Sequence, residues 1–208
     1  MNVFKLLITM SALVVLSGCA TMSEEECVMS DWQTVGYEDG VLGKSPASIG
    51  TYRKACAKAG VTPDLDAYRA GHDEGLVLFC RPQNGYRVGE NGGRYNGVCA
   101  RNDEAGFLAA YEQGRTLYSL RSDVASLSSQ LASARDELLD IEQQIESETL
   151  RMIGSGLSAE QRLQILSDTK ALAARKSTLK DDIEYLVIEL DASRDRLDAF
   201  EQVQVAGY

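Results

Sequence analysis

Proline is scarce in this 208-residue chain, with only 3 residues, so little stands in the way of long unbroken helices. Basic residues are also in the minority: 21 Lys and Arg against 31 Asp and Glu give a formal charge of -10, which argues against a nucleic-acid partner needing a cationic face. Histidine occurs once, at His72, and cysteine five times at wide spacing, so neither a His-rich metal centre nor the close Cys pairs of a zinc site can be assembled from neighbours in sequence. No Ser/His nucleophile motif occurs. No catalytic residue, cofactor or metal is therefore assigned. The one clearly apolar run, Leu6–Leu16, is about half the length of roughly 20 residues that a membrane-spanning helix requires. What remains, 44% hydrophobic and 25% charged residues, suits a folded chain and excludes wholesale disorder.

That short run follows Lys5 and leads into Leu16-Ser17-Gly18-Cys19. A cationic start, a short apolar segment and small residues read as a cleaved export signal over residues 1–18. The four residues resemble the lipobox of bacterial lipoproteins. The resemblance implies that Cys19 becomes the acylated first residue of the mature chain, carrying diacylglycerol and acyl groups such as palmitate. It further implies that Ala20, where Asp would retain the protein in the inner membrane, directs it to the outer membrane facing the periplasm. At about 0.8 kcal/mol per buried methylene, such acyl chains hold a protein on a membrane without help from its surface.

Four cysteines remain, Cys27, Cys56, Cys80 and Cys99. An even number in an exported chain reads as two disulfides. Three pairings are possible. Helix candidates at residues 31–44, 48–59 and 64–80, with another beginning near Asn102, bring Cys27 beside Cys56 and Cys80 beside Cys99.

A phrase of aromatic residues and glycines recurs through this half: Trp32-x3-Gly36-x3-Gly40-x2-Gly43, Tyr68-x2-Gly71-x3-Gly75 and Tyr111-x2-Gly114. Glycines three and four apart share one helix face, and each costs about 1 kcal/mol relative to Ala. Their presence predicts close approach of another helix, with Trp32, Tyr68 and Tyr111 filling the gaps. Residues 84–97, rich in Gly and Asn, match no phosphate-binding pattern and read as a disulfide-stapled turn region.

The frame Cys27-x3-Asp31-Trp32-x3-Gly36-x2-Asp39-Gly40-x2-Gly43, continued by Cys56-x3-Gly60-x3-Asp64-x3-Tyr68-x2-Gly71-x3-Gly75-Leu76-x3-Cys80 and Gly89-x3-Gly93-x-Tyr95-x-Gly97-Val98-Cys99, resembles the proteobacterial lipoprotein family known as domain of unknown function 2799. The resemblance spans about residues 19–115. It implies an envelope location and a small helical domain, and it brings no activity with it.

From Arg115 to Met152 apolar residues step by three and four: Leu117, Leu120, Val124, Leu127, Leu131, Ala134, Leu138, Ile141, Ile145 and Met152, with Glu148 interrupting. The series predicts a coiled-coil helix. Gly154-Ser155-Gly156 ends it, and Ser158 opens a second helix to about Gln202, with Ile165, Thr169, Leu172, Lys176, Leu179, Ile183, Leu186, Leu190, Ser193, Leu197 and Phe200 in its seam. Lys176 either meets Glu148 or another acid across the seam or merely snorkels its ammonium to solvent.

The expected fold class is therefore all-α: a small disulfide-stapled helical domain at 19–114, then a long antiparallel coiled-coil hairpin at 115–208. The expected function is that of a lipid-anchored module binding an envelope protein through the hairpin, its oligomeric state open. Two further readings are an accessory to envelope transport or assembly, and a cell-wall enzyme. The last would require a carboxylate pair such as Asp39 with Asp73.

Overall fold

The computed structural model describes residues 22–206, and the leader 1–18 and Cys19 lie outside this range. Among the described residues every regular element is helical: α1 Glu24–Met29, α2 Trp32–Val41, α3 Ile49–Cys56, α4 Leu65–Phe79, α5 Pro82–Glu90, α6 Arg101–Ile153 and α7 Ala159–Ala206, with short 3-10 turns before and after α3. The all-α expectation holds. None of these helices is long and apolar enough to cross a membrane.

Local chemistry sets the helix starts. Ser23 and Glu26 form a reciprocal capping box on α1, while Asp31 and Asp64 accept backbone N–H bonds at the starts of α2 and α4. α2 stops at Val41, short of the expected Lys44, because Gly43 takes a left-handed conformation with φ 64°. Residues 84–97 correct the sequence reading: they are not turn throughout, since α5 runs to Glu90. Pro82 occupies its first position, where a missing N–H costs nothing, and Gly85 and Gly89 are tolerated because another backbone lies against them.

Two compact units result. One comprises residues 22–85 with Arg94–Ala110, the other Tyr86–Gly93 with residues 111–206. In the first, α2 lies against α4, and a core of Cys27, Trp32, Ile49, Tyr52, Cys56 and Tyr68 is closed by Val35, Val61 and Leu65. A second apolar cluster joins Phe79, Phe107 and Tyr95, with ring centroids 5.1 Å and 4.8 Å apart. Disulfides join Cys27 to Cys56 and Cys80 to Cys99, the pairing favoured by helix order.

The second unit contains α7 and most of α6, which form an antiparallel hairpin. Pairs Arg121–Glu201, Glu137–Arg175 and Glu142–Lys176 run in opposite chain directions, and Arg162 reaches the Met152 carbonyl at the turn. Every predicted seam residue of both helices is buried or half-buried, with Leu117, Leu131, Ile141, Ile165, Leu179 and Leu190 at the centre. Spacing of 3.5 residues places these side chains on the inner side of each helix, with Thr169, Lys176 and Ser193 as polar members of an otherwise apolar series.

Candidate functional site

The glycines of the recurring phrase are packing positions. A Cβ on Gly36 or Gly40 would run into the backbone of Tyr68 or His72, and one on Gly71 or Gly75 into that of Gln33 or Tyr37. Trp32 and Tyr68 border this interface, and each is ring-packed on Tyr52 with centroids 6.3 Å away. Tyr111 and Gly114 lie in the other unit, where Gly114 meets Tyr86 and Glu90 backbone and the Tyr111 hydroxyl donates to the Gly93 carbonyl at 3.0 Å.

The contacts reveal a duplication that the linear phrase misaligns. Gly36 and Gly40 on α2 and Gly43 just beyond it correspond to Gly85, Gly89 and Gly92, since each set meets the same succession on its partner helix: Tyr68, His72 and Phe79 in one case, Phe107, Tyr111 and Tyr118 in the other. Gly43 and Gly92 both have positive φ, at 64° and 71°, and each leaves room for an aromatic ring. His72 Nε2–H donates to the Lys44 carbonyl at 2.8 Å, just as Tyr111 donates to Gly93. Gly114 therefore matches Gly75, whereas the sequence spacing had aligned it with Gly71.

One difference separates the two copies. Asp39 is buried, 2% exposed, in the first, and Val88 stands in its place in the second; Tyr68 is likewise replaced by Phe107. Asp39 Oδ1 accepts from Lys44 Nζ at 2.7 Å, and Oδ2 accepts from the Tyr68 hydroxyl at 2.8 Å. The Tyr52 hydroxyl lies 3.0 Å from both oxygens. Burial, reinforced by donation to the Asp39 carboxylate, pushes the Tyr52 and Tyr68 phenols above their ordinary range. The same carboxylate, through its hydrogen bond, holds the Lys44 ammonium above its usual value. The Tyr68 ring also stacks on His72, centroids 5.9 Å apart.

This arrangement is a charged clamp joining α2, the following turn, α3 and α4. Both phenols donate to the carboxylate, and both of its oxygens accept hydrogen bonds. Asp73 is exposed and contributes nothing to it, which corrects the imagined Asp39–Asp73 pair. The sequence did carry a signal for Asp39: it shares a helix face with Gly36, Gly40 and Gly43. Tyr52 and Lys44 carry no such signal, since they lie outside the repeated phrase. Among the described residues, no three His, Cys, Asp or Glu side chains gather as metal ligands would.

On the hairpin, Lys176 meets Glu142 at 2.8 Å, an acid across the seam, while Glu148 turns to Arg151 on its own helix. The ammonium, through its hydrogen bond, lowers the Glu142 carboxyl below its ordinary value. An open groove of about 510 Å³ runs beside Ala134, lined by Ser133, Glu137, Arg175, Tyr185 and the half-buried Leu186, with the buried Leu179 behind them.

Residues 31–116 match the family model described as Protein of unknown function (DUF2799), the same family that the cysteine, glycine and aromatic frame resembles. The matched segment begins at the α2 cap and runs through both glycine-packed helix pairs, ending just past Gly114; the rest of the hairpin lies beyond it. No curated protein and no solved structure matches the chain.

Proposed function

We propose that this protein is a lipid-anchored envelope module, held by acylated Cys19 at the outer membrane, that binds a periplasmic protein partner through the coiled-coil hairpin. The observation that carries this reading is the division of labour between the hairpin's faces. Its apolar seam is spent on pairing α6 with α7, leaving charged flanks and the Ala134 groove for something else. Intramolecular pairing across a five-residue turn outcompetes seam exchange with another chain. The groove, bordered by the Glu137–Arg175 pair at 2.7 Å, suits an inserted apolar side chain flanked by polar contacts.

Site-specific photo-crosslinking in intact cells tests this reading. Probes at Ser133 and Tyr185 should capture one discrete envelope protein, and Ala134→Gln should abolish the capture; adducts absent from both positions would refute partner binding through this face. Mass measurement of the mature N-terminus checks the anchor separately: Cys19 should carry acyl groups.

A further inference from the structure

The two disulfides sit in different surroundings. Cys27 and Cys56, 1% and 0% exposed, belong to the core with Trp32, Ile49, Tyr52 and Tyr68, and the Met22 sulfur lies 3.7 Å from Cys56 Sγ. Cys80 and Cys99, 4% and 8% exposed, instead line a surface groove of about 360 Å³ together with Leu76, Val77 and Val98. All the residues of this groove belong to the first unit. A thiolate must reach a disulfide sulfur directly to exchange with it, so access separates a reactive bond from an inert one.

The two sulfurs at the groove are also unequal. Cys80 caps the C-terminal end of α4, where the helix dipole is negative. Cys99 stands two residues before Arg101, the first residue of the 53-residue α6, where the dipole is positive. Ala100, between them, has no side-chain acceptor with which to cap the first N–H groups of α6. A thiolate is therefore stabilised at Cys99 and opposed at Cys80. Charged side chains do not reverse this order: Arg81 and Arg101 lie within two residues of the respective cysteines, and Asp73 of α4 and Asp103 of α6 both line the groove.

Hydrogen bonds hold the segment before Cys99 independently of the disulfide. The Tyr95 hydroxyl donates to Glu104 at 2.9 Å and accepts from the Cys99 N–H at 3.0 Å, its ring packs on Phe107, and Asn96 donates to the Gly43 carbonyl at 2.9 Å. The two cysteines thus stay neighbours once the bond is open, as its re-formation requires.

We infer that Cys80–Cys99 is a thiol–disulfide exchange site for a partner protein carrying a Cys-x-x-Cys dithiol, with Cys80 the sulfur attacked and Cys99 the leaving thiolate. One partner thiolate bonds to Cys80 Sγ as the Cys80–Cys99 bond breaks, and the electron pair of that bond stays on Cys99. The second partner thiol, losing its proton, attacks the first partner sulfur and displaces Cys80 Sγ as a thiolate. The partner leaves oxidised to a disulfide by two electrons, and its two thiol protons end on Cys80 and Cys99 through water. The reverse sequence restores the bond. This site shares no residue with the proposed acyl anchor or the hairpin groove and depends on neither.

The chain after Cys19, residues 20–208, whose only cysteines are these four, supplies the test. In dithiothreitol without denaturant, followed by alkylation and peptide mapping, Cys80 and Cys99 should be labelled at least about tenfold faster than Cys27 and Cys56. Reduced thioredoxin whose second active-site cysteine is replaced by Ser should stall as a mixed disulfide on Cys80. Trp32 emission and the helix signal should be unchanged in the selectively opened protein, and the bond should return when the reductant is replaced by oxidised glutathione. Equal labelling rates for the two pairs, a thioredoxin adduct on Cys99 or on neither sulfur, or a changed Trp32 signal on opening would overturn the inference. None of these results bears on acylation of Cys19 or on crosslinking from the hairpin groove.

Discussion

Glycine has opposite meanings at different positions of this chain, and two substitutions separate them. Gly36→Ala places a methyl group against the Tyr68 backbone, which cannot move aside as a side-chain tip could, and is expected to cost about 2–3 kcal/mol or more. Gly50 lies in α3 with nothing within 4 Å of an added Cβ, so Gly50→Ala should stabilise by about 0.5–1 kcal/mol. Denaturant melts of both variants check this, and equal effects would contradict the close approach of α2 and α4. A second residue-scale prediction concerns alkali. Tyr52, Tyr68 and Lys44 all have raised pKa values in the folded state, so their contribution to stability is fully present below the unfolded values near pH 10 and is lost as pH rises through the folded ones. The melting temperature should fall above about pH 10. Tyr68→Phe should lower stability at pH 7 by about 1–2 kcal/mol through the lost hydrogen bond and make the alkaline fall shallower.

At the level of elements, legibility in the sequence followed the kind of contact involved. The seam could be read residue by residue, because a 3.5-residue period encodes which side of a helix meets its neighbour whatever that neighbour is. α5 could not, because Gly85, Gly89 and Gly92 carry no apolar signal, and only the backbone of the partner helix explains why they tolerate a helical stretch. Asp39 was visible as a motif residue and invisible as a clamp, since its donors Tyr52 and Tyr68 come from 13 and 29 residues away. Within the seam, Ser193 is fully buried and its Oγ has no hydrogen-bond partner among the described residues. Ser193→Ala should therefore stabilise the hairpin by about 1 kcal/mol by removing an unsatisfied group. Ser167→Ala, on the exposed face of the same helix, supplies the control, as it changes helix propensity alone. A larger gain at 193 than at 167 in thermal melts is the expected result, and equality would show that the buried hydroxyl carries no penalty.

Over the whole molecule, covalent and non-covalent stabilisation fall on different units. Both disulfides join cysteines of the first unit, across 29 and 19 residues, the second loop passing through Tyr86–Gly93 of the other unit, and by loop-closure entropy each contributes on the order of 3 kcal/mol. The hairpin holds no disulfide among its described residues and depends on the length of its seam, α7 alone having 48 residues. Reduction should consequently lower the stability of the first unit and leave the hairpin largely helical. The chain itself provides separate reporters: its single tryptophan, Trp32, is buried in the first unit, while the far-ultraviolet helix signal comes mainly from α6 and α7. With reductant, the Trp32 fluorescence transition should move to lower temperature while most of the helix signal melts where it did before. If the two transitions instead shift together, the continuous α6 couples the units strongly enough that the disulfides stabilise the hairpin as well.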